Sequence, residues 1–268
     1  MTIVRRNLLI YACAIVLITS LSNAEAIPIA NSLWIGNDQA TIYPVLNTDL
    51  SGNVLRSFNS FAVGFAVDLN NNTLYVNDTL GAATPRNLTT LALQGTAVSI
   101  PVSEDLSFDG TYILAGDFSG QNVVRVNPSD GSIVSSVSVG FRPLGLTWDG
   151  GTGFWATPFA SGGAVTHFDA SGNVLSSFVP FVSDYAGGLG FDTTDGTLWV
   201  GSHAGNVFHY TTTGSLLGSF TTGDNRFVDG LEFQGTASVP SPATLPLLGI
   251  GLLGLIMSRR RKMICAHT

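Results

Sequence analysis

The sequence predicts an all-β fold, a β-propeller of about five four-stranded blades. The first observation is repetition. Between residues 27 and 236, strand-like motifs return in the same order every 38 to 44 residues, a period typical of propellers and solenoids. The second is that this region lacks helical periodicity and helix-capping patterns. A β-sandwich is the alternative because it also has many short strands, but it gives no reason for repetition in a fixed order.

The first repeated motif is a short apolar strand opened by a small or polar residue. It occurs at residues 32–35, 73–76, 111–114, 153–156 and 197–200. The central residues of these copies are 41, 38, 42 and 44 positions apart. Four copies place a large aromatic ring at the centre, namely Trp34, Tyr75, Trp155 and Trp199. Rings at one position of successive blades are expected to pack between the sheets, so we predict that they belong to the core.

Two further motifs complete each repeat. One is a glycine turn followed by a strand, clearest at residues 51–58 and 171–178 and missing from the second repeat. Its glycine supplies the positive φ of a tight turn. The other is a strand of alternating small and large residues, as expected where strands crowd around a narrow axis. Its last copy, residues 230–234, has no following apolar strand, so we expect it to complete the first blade and close the ring.

The region between the two chain ends is acidic and contains no lysine. Residues 27–242 hold five arginines and 17 acidic residues, a net charge of −12. This charge repels nucleic acid and anionic lipid, so we expect neutral, cationic or metal-bridged partners. The two cysteines, Cys13 and Cys265, lie near the chain ends. We therefore expect a central domain without disulfide or thiol chemistry.

Residues 1–26 have the composition of a secretory signal peptide. Arg5 and Arg6 precede an apolar run at residues 8–21, and Ala24 and Ala26 form an A-x-A-like cleavage site for signal peptidase. The apolar run is shorter than a typical transmembrane helix. We therefore predict a cleaved export signal followed by a propeller domain at residues 27–236.

Residues 237–262 combine three features in a fixed order. The sequence Pro240-Ser241-Pro242 is followed by an apolar segment at about residues 243–258 and then by Arg259, Arg260 and Arg261. The apolar segment approaches the length of a bilayer's hydrocarbon core, and its glycines suit a transmembrane helix. By the positive-inside rule the arginines stay cytoplasmic, with residues 263–268 as a short tail. We expect the chain to be anchored in the inner membrane with its repeats outside.

This arrangement resembles the PEP-CTERM sorting signal of Gram-negative bacteria, with Pro240 and Pro242 as the motif's prolines and Arg259 to Arg261 as its basic cluster. The resemblance implies processing by an exosortase and transfer to the cell surface or the extracellular space. It also implies an association with extracellular polysaccharide and biofilm matrix. Ser241 replaces the usual glutamate, which departs from the pattern. The repeats are similar to NHL- and YVTN-type propeller repeats, a likeness shared by many functions.

Candidate ligand-binding residues lie in loops and not in the repeated strands. His203 lies in a loop of small residues, and Phe159, Phe181 and Tyr185 lie in longer loops. Aromatic rings in such loops can stack on the faces of sugar rings. We therefore predict these four residues as ligand contacts.

The sequence predicts neither a cofactor nor a metal centre. His167 and His209 recur at one strand position, where Arg125 also stands. Equivalent positions of neighbouring blades are about 10 Å apart, which is too far for two histidines to share one ion. The loop at residues 68–73 begins like a calcium loop but lacks the glycine and the glutamate of an EF-hand. We therefore expect no more than adventitious Ca²⁺ binding.

These observations favour an exported, non-catalytic propeller that binds polysaccharide or protein in the extracellular matrix or a biofilm. The sequence has neither a nucleophile elbow nor a phosphate loop. The alternative is a glycan hydrolase or lyase, because a propeller channel can gather carboxylates from separate blades. A structural matrix component is the second alternative. The carboxylates available to an enzyme are Glu104, Asp105, Asp117 and Asp229.

Overall fold

The computed structural model describes residues 29–39, 43–78 and 81–236. These ranges contain twenty strands and no helix, so no described segment is a helix able to cross a membrane. The predicted signal peptide and the sorting segment at residues 237–268 lie outside the described residues. In chain order the strands are β1 Ser32–Ile35, β2 Val45–Thr48, β3 Val54–Phe58, β4 Gly64–Asp68, β5 Thr73–Asn77, β6 Ala82–Asn87, β7 Val98–Ser99, β8 Leu106–Phe108, β9 Ile113–Asp117, β10 Asn122–Val126, β11 Ile133–Ser138, β12 Pro143–Trp148, β13 Phe154–Pro158, β14 Val165–Phe168, β15 Val174–Phe178, β16 Ala186–Asp192, β17 Thr197–Ser202, β18 Asn206–Thr211, β19 Leu216–Thr221 and β20 Leu231–Gln234.

The strands form five antiparallel four-stranded sheets, which are the blades of a propeller. The first blade has the strand order β20-β1-β2-β3, and the second to fifth blades are β4–β7, β8–β11, β12–β15 and β16–β19. The inner strands β4, β8, β12, β16 and β20 contact one another in that order, and β20 also contacts β4. The ring is therefore closed, and the predicted five-bladed propeller is confirmed.

The first blade joins the two ends of the propeller. This was predicted because the last strand motif, residues 230–234, has no following apolar strand. Leu33 of β1 pairs with Phe233 of β20 in an antiparallel register. The indole N–H of Trp34 donates to the Gln234 side-chain oxygen at 2.8 Å, and the Gln234 amide donates to the Ile29 carbonyl. Because these bonds link residues about 200 positions apart, the last strand secures the whole ring and leaves no open inner edge.

The outer turns explain one of the repeated motifs. In the first blade, Asp49 accepts the N–H groups of Ser51 and Asn53 at 2.9 Å each, and Gly52 has a φ of +88°. Residues 169–173 of the fourth blade repeat this turn. The second repeat lacks the motif, and its outer strand β7 is only two residues long.

The third repeat has a different register from the one that the apolar motif predicted. The motif equated Ile113 with Trp34. In the structure Leu114 pairs with Ser107 of the inner strand, as Trp34 pairs with Glu232. Leu114 is therefore the true counterpart, and the prediction was wrong by one residue. Because this copy lacks a central aromatic ring, the sequence pattern alone did not mark its register.

The predicted core rings lie between blades, and strand residues stack on them. Trp155 and Trp199 are almost fully buried. His167 stacks on Trp155 with ring centroids 4.3 Å apart, and His209 stacks on Trp199 at 4.0 Å. Arg125 stands at the same cross-strand position of the third blade, opposite Leu114. Three of the five blades thus have a basic residue opposite the central core residue.

The ring axis is too narrow for side chains at most positions of its first layer. This layer, which we call the entry layer, consists of Gly64, Asp105, Gly145, Gly188 and Gly230. A Cβ atom on Gly188 would lie 2.3 Å from the Leu231 nitrogen, and one on Gly64 would lie 2.5 Å from the Glu104 carbonyl oxygen. Backbones of neighbouring blades therefore approach as closely as glycine allows.

Asp105 fills the space that the four glycines leave. Its carboxyl accepts the N–H groups of Leu106 at 3.0 Å, Leu146 at 3.2 Å and Leu189 at 3.0 Å, which belong to three successive blades. Burial raises the pKa of Asp105 well above its ordinary value, although these donors favour the charged form. Asp105 therefore joins three inner strands at the axis.

Candidate functional site

The inner strands define two faces of the ring. We call the face where β4, β8, β12, β16 and β20 begin the entry face, and the face where they end the exit face. The antiparallel partner strands end where the inner strands begin, as Ser202 opposite Ala186 illustrates. Loops that follow the second strand of each blade therefore emerge on the entry face, next to the segments that lead into the inner strands.

One loop position of the entry face carries an acidic, aromatic or imidazole side chain in four blades. It lies four residues after the central residue of the apolar strand. In four blades it holds Asp38, Phe118, Phe159 and His203. The repeated backbone thus places an acid, two aromatic rings and an imidazole around the same rim.

His203 is held between two aromatic rings. Its ring stacks on Tyr185 and on Phe227 with centroids 4.8 Å apart in both cases. Its Nε2 atom lies 2.8 Å from Asp229 Oδ1, a distance typical of an ion pair, although the two atoms are not aligned for a hydrogen bond. Both faces of the imidazole are therefore covered, and its polar edge points to a carboxylate.

Asp184 fixes the loop that presents Tyr185 next to His203. Its carboxyl accepts the N–H of Tyr185 at 2.8 Å and the N–H of Ala204 at 3.1 Å. The first bond is local, whereas the second ties the segment before β16 to the loop between β17 and β18. These two bonds set the distance between the tyrosine and the histidine.

The stacked rings continue across the entry face. Phe159 lies 5.5 Å from Tyr185, and Phe118 lies 5.3 Å from Phe159, measured between ring centroids. The guanidinium of Arg142 lies 5.1 Å from the Phe118 centroid, a cation–π distance. We call Phe118, Phe159, Tyr185, His203 and Phe227 the aromatic arc.

Three carboxyl groups lie beside the polar edge of His203. Burial and the charges of Asp229 and Asp38 together raise the pKa of Glu104 to about 7, against the opposing effect of His203. Burial and the charge of Asp229 also raise the pKa of Asp38. Asn77 holds the backbone of this segment by donating to the Glu104 carbonyl at 3.0 Å. We call Asp38, Glu104 and Asp229 the acidic cluster.

The pKa of His203 reflects two opposing effects. Burial lowers the pKa, but contact with Asp229 and the charges of Asp184 and Asp38 outweigh it, so the pKa is raised above its ordinary value. The acidic cluster therefore favours the imidazolium form. Together, these groups give the entry face an imidazole beside three acids and a rim of aromatic rings.

The raised pKa of Glu104 predicts a pH-dependent stability. The folded protein keeps this proton up to about pH 7, whereas the unfolded chain releases it near its ordinary value, so stability falls as the pH rises between the two values. We expect Glu104→Gln to remove this loss, raising the unfolding temperature relative to wild type at about pH 8 but not at about pH 5. Thermal unfolding followed by circular dichroism measures both values.

Asp130→Asn is the control for this prediction. Asp130 is exposed, and its hydrogen bonds to Ser132 lower its pKa, so it titrates below the tested interval in both states. An equal effect of Glu104→Gln at both pH values would contradict the assignment of the titration to Glu104.

The structure brings together three of the four residues that the sequence singled out as ligand contacts. His203, Phe159 and Tyr185 belong to the aromatic arc. Phe181 does not, because it packs on Phe208 with centroids 5.6 Å apart in the core between blades. Of the carboxylates considered for an enzyme, Glu104 and Asp229 lie in the acidic cluster.

Asp105 and Asp117 lie elsewhere. Asp105 is enclosed at the axis, and Asp117 accepts the N–H groups of Ser119 and Gly120 in its own turn. Sequence reasoning missed Asp38, Phe118 and Phe227. The repeats could have identified Asp38 and Phe118, because both occupy the same loop position as His203.

The described ranges contain no group of three or more histidine, cysteine, aspartate or glutamate side chains arranged to hold a metal ion. In the calcium-like loop, Asp68 Oδ1 accepts the N–H groups of Asn70 and Asn71 at 3.0 and 3.1 Å, and Oδ2 accepts the Asn71 side chain. These bonds are those of an ordinary turn.

Comparison with solved structures finds the propeller fold. A chain in the crystal structure of a nidogen/laminin complex has a TM-score of 0.51 and 11% identity over 75% of this chain and 97% of that chain. Hydrazine synthase of Kuenenia stuttgartiensis has a TM-score of 0.44 and 15% identity over 60% of this chain and 49% of that chain. The first likeness shows the propeller fold alone, and the second is too distant to support an inference.

Comparison by sequence identifies the C-terminal segment. No curated protein sequence matches the chain. The model of the PEP-CTERM protein-sorting motif matches residues 238–262, which include Pro240, Pro242 and the arginine cluster. The motif implies processing by an exosortase-type enzyme. The chain is thus an exported, surface-sorted β-propeller protein with a PEP-CTERM sorting motif at residues 238–262.

Proposed function

We propose that the propeller is a non-catalytic binding protein that holds a neutral extracellular polysaccharide on its entry face. The aromatic arc carries this proposal, because its rings come from loops of several blades yet form one continuous series. A surface destination supports it as well, since extracellular polysaccharide is what a surface-sorted protein meets.

The aromatic arc offers apolar surface of the kind that sugar rings stack on. Phe159 and Phe227 are 45% and 37% exposed, so both present area to solvent. Tyr185 and His203 lie between them and fix their orientation by stacking. Rings that are ordered before a ligand arrives lose little conformational entropy on binding. The C–H faces of a neutral sugar are suited to this surface.

The acidic cluster supplies hydrogen-bond acceptors beside these rings. Carboxylate oxygens accept bonds from sugar hydroxyls, and bonds with a charged partner are stronger than neutral ones. The net charge of −12 over residues 27–242 disfavours an acidic polymer. A neutral glycan with free hydroxyl groups therefore agrees with both the rings and the charge.

Substitution of the exposed rings tests the proposal. We expect wild-type full-length protein to bind at least one neutral glycan on a glycan array. Phe159→Ala and Phe227→Ala should each weaken this binding about tenfold, the effect of losing an aromatic anchor of about 1.4 kcal/mol. Calorimetry with the best-binding glycan measures the change.

Ile133→Ala is the matched control, because Ile133 is an exposed apolar residue on the outer strand β11, 57% exposed and distant from the arc. Its affinity should equal that of wild type. Absence of binding to every neutral glycan would contradict the proposal and favour a structural matrix component. Unchanged affinity in both phenylalanine variants would show that the glycan does not bind on the aromatic arc.

One observation favours a second candidate function, a glycan hydrolase. Burial and the neighbouring charge of Asp229 raise the pKa of Glu104 to about 7, so Glu104 can hold a proton beside a second carboxyl group. Glycosidases use such a pair of carboxyl groups as acid and base or nucleophile. If this function is correct, wild-type protein will release new reducing ends from a bound glycan and Glu104→Gln will not.

A further inference from the structure

A second polar site lies on the ring axis at the exit face, away from the aromatic arc. It is a cavity of about 140 Å³. Ser107, Thr147 and Glu232 form its polar base, and the rings of Trp148 and Phe191 form part of its wall. The three polar residues occupy one position of the inner strands, two residues beyond the entry layer.

Glu232 lines this cavity, and one of its carboxyl oxygens has no hydrogen-bond partner in the described part of the chain. The residue is only 6% exposed. Its Oε1 atom accepts the Ser107 hydroxyl at 3.1 Å, whereas its buried Oε2 atom has no hydrogen-bond partner among the described residues. A buried polar atom without a partner is rare in folded proteins and costly.

Two hydroxyl groups at the base are oriented toward the charged form of Glu232. Ser107 Oγ accepts the N–H of Trp148 at 3.0 Å, and Thr147 Oγ1 accepts the N–H of Phe191 at 3.1 Å. Because these oxygens take backbone protons, their own protons are free to point at the glutamate, and both side chains favour its ionised form. Burial outweighs these two contacts and raises the pKa of Glu232, so the charged carboxylate needs a further partner.

No described side chain neutralises this carboxylate. Every arginine of the propeller contacts groups elsewhere: Arg56 with Asn47, Arg86 with the Leu91 carbonyl, Arg125 with Asp109, Arg142 with Phe118 and Arg226 with Asp224. The propeller has no lysine, and the nearest other titratable group on the axis, Asp105, is also an acid. The missing positive charge must come from a ligand or a proton.

We propose that this axial pocket binds a small alkylammonium group, with Glu232 as its counter-ion. An ammonium group has three N–H donors, which suit the free Glu232 oxygen and the hydroxyl lone pairs at the base. The rings of Trp148 and Phe191 suit a cation in the same pocket. A Ca²⁺ ion would need six or more oxygen ligands, and one carboxylate does not provide them.

Titration of full-length protein with ethylammonium chloride tests the proposal, with sodium chloride at equal concentration as the reference. We expect saturable binding by wild type and at least tenfold weaker binding by Glu232→Gln, which keeps the shape and removes the charge. Asp130→Asn, an exposed acid on the exit-side turns, should bind as wild type. Burial raises the pKa of Glu232 well above its ordinary value, so binding of the cation releases a proton and strengthens as the pH rises.

Phe191→Leu is a second variant that does not alter the buried acid. It should weaken ethylammonium binding while the unfolding temperature stays close to that of wild type, because Phe191 is only partly buried. Lack of saturable binding by wild type would overturn the proposal. So would equal binding by Glu232→Gln, or tighter binding of Ca²⁺ than of ethylammonium. None of these results bears on glycan binding at the entry face.

Discussion

Replacement of Asp105 by alanine is expected to destabilise the propeller by at least about 3 kcal/mol, because a buried donor left without a partner costs about 1–3 kcal/mol. The Asp105 carboxyl accepts the backbone N–H groups of Leu106, Leu146 and Leu189. Alanine removes both acceptor oxygens, and with them all three hydrogen bonds, and leaves a cavity between four glycines. The three donors are buried at the axis.

Chemical denaturation of full-length protein measures this effect as a change in unfolding free energy. Asp117→Ala is the control, since Asp117 also accepts two backbone N–H groups but does so in an exposed turn, where water can replace it. We expect its loss to be below about 1 kcal/mol. Equal losses in the two variants would show that Asp105 does not hold the inner strands together.

Asp105→Asn separates the hydrogen bonds from the charge. Its amide oxygen can still accept the N–H groups of Leu146 and Leu189, but its NH₂ group then faces the N–H of Leu106. We expect a stability between those of wild type and Asp105→Ala. A variant as stable as wild type would mean that Asp105 is protonated and that the third bond adds little.

Replacement of Gly188 by alanine is expected to destabilise the protein by about 3 kcal/mol or more, the upper range for an overfilled core. A Cβ atom there would lie 2.3 Å from the Leu231 nitrogen and 2.6 Å from the Gly230 carbonyl carbon. These are backbone atoms of the closing strand segment, so no side-chain rotation relieves the clash. The strand β20 must move, which weakens its pairing with β1.

Gly218→Ala is the matched control on the outer strand β19. A Cβ atom on Gly218 meets no atom within 4 Å, and alanine loses less backbone entropy than glycine on folding. We therefore expect a gain of up to about 1 kcal/mol, opposite in sign to the effect at Gly188. Thermal and chemical denaturation give both values. If both variants lost a similar amount of unfolding free energy, the cause would be strand propensity and not crowding at the axis.

The number of blades and their closure could be predicted from the sequence because they depend on local patterns. Each blade contains an apolar strand and an alternating strand, and four of the five also contain the glycine turn. Each of these motifs consists of a few adjacent residues, so its local geometry can be predicted from sequence. The glycine of the Ser51–Gly52 turn marks a positive φ, and the glycines of the inner strands mark the narrow axis. The third blade shows the limit, because without an aromatic ring Leu114 and Ile113 could not be distinguished.

The candidate site could be predicted only in part. The loop residues His203, Phe159 and Tyr185 stood out as polar or aromatic residues among small ones, and the structure brings them together. Phe181 is also an aromatic loop residue, but it packs against the core. Contacts with the neighbouring blade determine the direction of a loop side chain. Glu104 and Asp229 precede different inner strands, and only ring closure places them together.

The sequence by itself determined that this protein is an acidic, all-β ring of repeats with a PEP-CTERM sorting motif, since repeats and sorting motifs are read from contiguous residues. The tertiary structure decided which acids are buried at the axis, which rings form the aromatic arc and which carboxyls share the acidic cluster. The physical reason is that those properties arise between blades. Asp105 reaches donors about 40 and 80 residues away, and only the closed ring fixes those distances.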